Sequence, residues 1–329
     1  MIRLSVIICT LNREQVLCDT LRAVAALMQG RVDAELLVID QTRQHEPETE
    51  ACLADLAASL QLHRVDFASL TRARNHGVRL ARGDVVLFLD DDIVPVSELL
   101  DAHLRCYEDP ALAGVGGCML LPGGSQISRE ELPVAELRRL EQGLEDRFDL
   151  DWPRDLNWAP GCNMSFRRVW LFRVGGFDET FYGAAIGEEA ELCHRVRKAG
   201  GRIIYAPAAR ILHLVNPSGG CRAAVADVER MVQALGNSWY YWRRTGLALP
   251  IRLWRLVRIL RPQVVGFAAS RHSNLSSRIR TILRVLTRLM TEESRSPVLG
   301  LRQSGSAGTG ALLAGDCSEP SDRPRRGVM

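Results

Sequence analysis

Lysine is almost absent from this 329-residue chain, with Lys198 alone among 42 basic residues. So uniform a preference for arginine reads as a bias of gene composition, and an arginine by itself carries no functional message. The nine cysteines are scattered between Cys9 and Cys317 and never form the close pairs of a zinc site or a redox motif. Thiols spaced this way fit a reducing cytoplasm. Long apolar runs are missing as well. The best candidate, around Leu249 to Leu260, is interrupted by Arg252, Arg255 and Arg258, with Arg261 just beyond, which argues against a spanning helix. At the start, Asn12, Arg13 and Glu14 cut the apolar run short, so no signal peptide is expected. A formal charge of only +3 gives no electrostatic reason for a nucleic-acid partner.

What is present is a chain with 47% hydrophobic and 25% charged residues, enough for one large core and a smaller appendage. Short aliphatic runs at Ile2 to Cys9, Glu35 to Ile39, Leu62 to Phe67 and Val85 to Leu89 alternate with helical patterns at Val16 to Met28 and Leu70 to Ala81. Such alternation predicts an α/β, Rossmann-like fold, its mostly parallel sheet flanked by helices. Ligands in that architecture gather beyond the carboxyl ends of the strands, so the polar residues following each strand matter most. A helix at Val96 to Glu108 and a strand at Ala113 to Leu120 come next. The charged, weakly periodic stretch 122–155 reads as an insertion. Order resumes at Trp158 to Phe166, with a helix from Glu188 to Ala199 and a strand from Arg202 to Tyr205. The expected division is a catalytic domain at 1–221, a basic C-terminal helical appendage at 222–293 and a disordered tail at 294–329.

The sharpest polar cluster is Asp90, Asp91 and Asp92, directly after an apolar strand. Adjacent carboxylates repel unless a cation or hydrogen bonds compensate, so the triplet reads either as a hard-metal site or as a solvated acidic turn. Glu188, Glu189 and Glu191 open a helix, where acids are favoured by the macrodipole and can also supply a general base. Thr10, Asn12 and Arg13 after the first strand, and Asp40 after the second, suit either ordinary turn chemistry or a nucleobase edge. Arg72, Arg74 and Asn75 can meet phosphate or ribose, or in the case of Arg72 simply solvate a helix face. His213 is a candidate metal ligand or diphosphate contact. Gly219, Gly220 and Arg222 suit a phosphate-covering loop. Asn163, within an apolar strand, is either an acceptor-hydroxyl contact or a buried amide bonded to backbone.

In this order the segments resemble the family 2 glycosyltransferases of the GT-A fold, over roughly Leu4 to Arg222. Ser5-Val6-Ile7-Ile8-Cys9-Thr10-Leu11-Asn12-Arg13 is similar to the first strand and donor loop of that family, and Leu37 to Thr42 to its second strand. Arg74-Asn75-His76-Gly77 resembles the segment that follows. Asp84 to Asp92 resembles the strand ending in the Asp-x-Asp metal motif, and Gly161 to Phe166 the acceptor-side strand. The resemblance implies donor contacts from Thr10, Asn12, Arg13, Asp40, Arg74, Asn75, Asp90 and Asp91. It implies a Mn2+ or Mg2+ ion on Asp90 and Asp92 with His213, acceptor contacts from Asn163 and Glu191, and inversion at the anomeric carbon. Where the family usually has Glu-Asp this chain has Glu188-Glu189, so the general base falls on Glu189, one methylene longer, with Glu188 beside it. Neither the Gln-x-x-Arg-Trp motif nor the several spanning helices of processive members is found. Transfer of one sugar or a few is implied, from a nucleotide diphosphate donor of the UDP or dTDP type to a lipid-linked or saccharide acceptor.

Two other classes were weighed. A sugar nucleotidyltransferase should open with a glycine-rich phosphate loop, which Thr10 to Arg13 does not supply. A catalytically impaired binding protein of the same fold would differ at the base. Beyond the catalytic region, Trp239, Tyr240, Tyr241 and Trp242 and the spaced arginines that follow suit a helix lying on an anionic membrane, or one packed on the catalytic domain. The expected location is cytoplasmic, peripheral on the inner face of the cell membrane.

Overall fold

The computed structural model describes residues 3–216, 218–220, 227–269 and 275–301. For 227, 228, 260–269, 275–283 and 293 only the backbone course is described. The first half is built from β1 (Leu4–Thr10), β2 (Ala34–Asp40), β3 (Gln61–Arg64) and β4 (Val85–Leu89), alternating with α1 (Gln15–Met28), α2 (Pro47–Asp55) and α3 (Leu70–Leu80). These four strands are parallel and ordered β3-β2-β1-β4. Both faces of the sheet are covered, which is why β1, β2 and β4 read as continuous apolar runs.

The second half contributes β5 (Ile93–Pro95), α4 (Leu99–Cys106), β6 (Leu112–Leu120), α5 (Val134–Glu141), β7 (Arg154–Asp155), β8 (Asn163–Arg167), α6 (Arg168–Val174), α7 (Glu188–Lys198) and β9 (Arg202–His213). β8 slots between β4 and β6, antiparallel to both, which sets Asn163 opposite Leu89 at the mouth of the sheet. β6 and β9 run parallel to each other, while β5 and β7 pair with β9 in the reverse sense. The mostly parallel α/β sheet is therefore present, with β5, β7 and β8 reversed. β9 extends well past the expected end at Tyr205, because irregular pairing with β6 near Gly117 and Cys118 accommodates Pro207 without ending the strand. That extension carries His213 to a position opposite Ile93, beside the acidic triplet.

One apolar cluster fills each face of the sheet. Between them lies a polar knot in which His103 Nδ1 meets Ser165 Oγ at 2.8 Å and Nε2 meets Asn163 Oδ1 at 2.9 Å. Burial holds the His103 imidazole neutral, with its pKa pushed down to about 4 from an ordinary 6.5. Below pH 6.5 the unfolded chain takes up this proton and the folded chain does not, so stability present above 6.5 is lost as pH falls toward 4. Urea unfolding at pH 5 should give a stability about 2 kcal/mol below the pH 7 value, with part of that slope removed in His103→Gln. An unchanged slope in the variant would rule His103 out as its source.

Three further helices follow, α8 (Asp227–Arg244), α9 (Leu249–Ala269) and α10 (Leu275–Ser294). α8 packs against α7, and against α10 through a cluster that includes Val232, Trp239, Trp242 and Leu289. Among the described residues no helix is long and apolar enough to cross a membrane, and no cysteine is in a disulfide.

The expectation of a disordered tail from 294 needs correction. Residues 295–301 lie along the catalytic domain, where Asp178 bridges to Leu299, Glu179 N donates to Val298 O at 2.7 Å, and Leu301 is buried with its N–H on Gly175 O at 3.1 Å. The buried Leu301, together with this backbone pairing, seats the stretch, while Val298 stays exposed. The remainder of the expected tail, from 302 onward, lies outside the described residues.

Candidate active site

β4 delivers Asp90, Asp91 and Asp92 from the core to the mouth of the sheet. Asp92 is buried and heavily bonded, with Oδ1 3.1 Å from His213 Nε2, Oδ2 accepting from Asn216 N at 2.8 Å and Arg13 Nη2 3.3 Å away. Burial alone would raise its carboxyl, but the His213, Asn216 and Arg13 contacts outweigh that and hold it below the ordinary range. Asp91 sits between Thr10, whose hydroxyl donates to Oδ2 at 2.7 Å, and Arg13 Nε at 3.4 Å, yet burial still pushes it up to about 7. Asp90 is the most open of the three, one third exposed.

Candidate ligand atoms of Asp90, Asp92 and His213 all lie within 4.8 Å of one another, the His213 Nε2 distances being 3.8 Å to Asp90 and 3.1 Å to Asp92. Adjacent ligands of a hard divalent ion stand about 3 Å apart, so this donor set fits one with little movement. Arg13 also donates through Nη1 to Asn216 O at 3.0 Å and to Ser218 O, and Gly220 N donates to Leu11 O at 2.7 Å. The loop after β9 thereby closes over the triplet. Gly220 lines the pocket as expected of a phosphate-covering loop, whereas Arg222 lies outside the described residues.

Facing the triplet is the start of α7. Gly187, at φ 90°, makes the left-handed turn into the helix, and Glu188 follows it into the interior. Its Oε1 is bonded by Arg74 Nη1, while Oε2 is buried without a hydrogen-bond partner. Arg74 in turn donates to Gly161 O at 2.9 Å and lies 3.6 Å from Asp90. Glu189 is half-buried beside Glu188. Burial raises both carboxyls above the usual range, opposed by Arg74, with the charge of Glu189 adding to the rise at Glu188 and that of Asp90 to the rise at Glu189. One guanidinium thus links the expected base pair to the expected metal site.

Other predicted residues go elsewhere. Asn75 is fully buried, its amide bonded to Phe177 O and N at 2.9 and 2.8 Å and to Glu179 at 2.9 Å, so it pins the loop before α7 and does not face the donor pocket. Asn163 donates through Nδ2 to Cys118 O and Ala209 O at 3.0 and 2.8 Å and accepts at Oδ1 from His103 Nε2 at 2.9 Å, which makes it a core amide and not an acceptor contact. Glu191 is 1% exposed and grips Arg195 at 2.7 Å, one turn on, so it too faces away from any acceptor. Asp40 is fully buried, closed off by Thr42 N at 2.9 Å and His45 Nε2 at 3.1 Å, so reading a base would require His45 to give way. Arg72 is exposed and stacks on Phe67.

Sequence reading overlooked Gln41, which lines the pocket and bridges Thr10 O to Ser69 N, and Asn216, whose Asn-Pro-Ser-Gly context is a turn signal. The three non-glycine residues with positive φ among the described residues are Asn12, Ala185 and Val215, at 51°, 49° and 51°. Each lies on a loop bordering this pocket, and such strain persists where surrounding contacts over-determine the backbone. In its present closed form the pocket holds about 90 Å3, room for a few waters, so a ligand the size of a sugar nucleotide enters only if these loops move. Another cavity, of about 780 Å3 between α5, β7 and the far end of α7, contains none of the predicted site residues.

A sheet of this order, with an acidic triplet after β4 and a carboxylate-led helix across from it, is the GT-A arrangement. A mannosyltransferase from Pyrobaculum calidifontis, solved with GDP-Man and Mn2+, superposes with a TM-score of 0.53 at 16% identity, over 88% of this chain and 86% of that one. Residues 5–172 match the model described as glycosyl transferase family 2, and the chain belongs to that family. The pre-mycofactocin glycosyltransferase of Mycobacterium tuberculosis is 31% identical over 155 residues, which is 46% of this chain and 31% of that protein. The glucosyl-dolichyl phosphate glucuronosyltransferase of Haloferax volcanii is 25% identical over 219 residues, covering 64% of this chain and 69% of that one. The match thus spans about a third of the length of the mycobacterial relative.

Proposed function

We propose that the chain is an inverting, non-processive glycosyltransferase, moving a sugar from a nucleotide diphosphate of the UDP or dTDP type to an acceptor hydroxyl in cell-surface polysaccharide or glycolipid synthesis. The reading is carried by one observation, the Arg74 bridge between Glu188 and Asp90, which places a carboxylate pair across from a site suited to a hard cation. A Mn2+ or Mg2+ ion held by Asp90, Asp92 and His213 would supply Lewis-acid charge for the departing diphosphate. Thr10 and Arg13 fix the triplet, Asn216 and Gly220 shut water out, and Glu189 takes the proton of the acceptor hydroxyl as the new bond forms. The acceptor is proposed to be lipid-linked or a saccharide, met by a cytoplasmic enzyme peripheral to the inner face of the membrane. In this reading the catalytic domain ends at about 221, where the helical appendage begins.

With MnCl2 and a panel of nucleotide diphosphate sugars, one donor should raise the midpoint of thermal unfolding and be hydrolysed slowly in the absence of acceptor. Chelation or Asp92→Ala should abolish both effects. Metal-independent hydrolysis, or a variant that matches the parent, would defeat the proposal.

A further inference from the structure

We infer that α9 is a membrane-docking helix that lies in the plane of an anionic bilayer. Its exposed face carries Leu249, Leu253, Trp254 and Val257, between 47% and 62% exposed. Positions i, i+4, i+5 and i+8 lie on one side of a helix, so these side chains form a continuous stripe. The adjoining edge, at i+3 and i+7 from Leu249, is already in use, with Arg252 over the ring of Trp239 at 4.8 Å and Leu256 buried in the cluster shared with α8, while Ile251 and Ile259 are exposed outside the stripe. The stripe is therefore not a core surface left open by a rotated helix. A soluble surface scatters its large apolar residues singly, and a stripe of four within nine residues needs a cover.

Charge selects the cover. Between Arg230 and Met290 the sequence contains arginines and not one Asp or Glu. At the edge of the stripe Arg258 lies over the face of Trp254 at 4.7 Å, while the exposed Arg255 reaches back over the buried Trp242 of α8 at 5.7 Å. Indole and guanidinium side by side suit the headgroup layer, where the ring sits at the apolar boundary and the cation meets phosphate. A second copy of this region would bring cations against cations. An apolar stripe with a cationic border, on a helix that cannot span a bilayer, is the pattern of an interfacial helix bound to acidic lipid.

The contact deepens the peripheral placement proposed for the enzyme, and lipid binding without any reaction tests it separately from sugar transfer. The full chain should float with phosphatidylglycerol–phosphatidylcholine vesicles, remain in solution with pure phosphatidylcholine, and be released by high salt. Trp254→Glu/Val257→Glu, both on the exposed face, should lower the partition coefficient at least about tenfold with an unchanged circular dichroism spectrum. Arg255→Gln/Arg258→Gln should weaken binding to acidic vesicles several-fold, with Lys at both positions restoring it. Equal flotation of the glutamate variant, equal binding to neutral vesicles, or a dimer in light scattering that this variant dissociates would each overturn the inference, the last by giving the stripe to a second copy.

Discussion

Changing Glu189 to Gln is expected to lower kcat for sugar transfer about a thousandfold while leaving donor affinity within about twofold. The amide keeps the shape of the side chain and cannot accept the acceptor's proton. Glu189 stands half-buried beside Glu188, and burial, with the charge of Asp90, raises its carboxyl. A base must be deprotonated to act, so the acid limb of kcat should lie above the ordinary carboxylate range, with activity rising as pH climbs through it. Glu189→Asp restores the residue usual in the family and should retain activity within about tenfold, since only reach is altered. Single-turnover transfer together with donor titration separates the two steps. Full activity in Glu189→Gln would remove it as the base and direct attention to Glu188.

How much of this was legible beforehand depended on sequence distance. The β1 to β4 alternation, the triplet at Asp90 to Asp92 and the helix opening at Glu188 are local patterns, and each appears where the residues placed it. Asn75 and Asn163 looked available because their partners, at Phe177, Cys118 and Ala209, are tens of residues away in sequence. Glu191 was different. Its partner Arg195 is one turn on, an i,i+4 pair that helical spacing alone could have flagged as structural. His213 could be listed as a ligand but not joined to Asp92, because the expected strand stopped before Pro207. The 295–301 segment was hidden by its own composition, since polar sequence gives no sign of the groove that receives Leu301. The strain at Ala185 and Val215 has no sequence signature, neither residue favouring a left-handed backbone.

Arg74 carries the largest stability prediction. It is 3% exposed, bonded to Glu188, close to Asp90, and its guanidinium lies 5.3 Å from the ring centroid of Phe177. Removing one partner of a buried pair costs more than removing both, because the remaining charge keeps its desolvation penalty without compensation. Arg74→Met should therefore lose about 3 kcal/mol, the cost of leaving Glu188 buried without its partner. That loss should grow as pH rises above about 8, where Glu188 can ionise beside Arg74 but not without it. Arg74→Met/Glu188→Met removes the orphaned acid and should recover most of the stability, leaving a coupling of about 2 kcal/mol in the double-mutant cycle. If the two single losses simply add, the pair is no unit and the bridge between the two halves of the site is coincidental. If coupling is found and the double variant folds but does not transfer sugar, Arg74 serves the reaction as well as the fold, by holding Glu188 under Glu189 and Asp90 toward the cation.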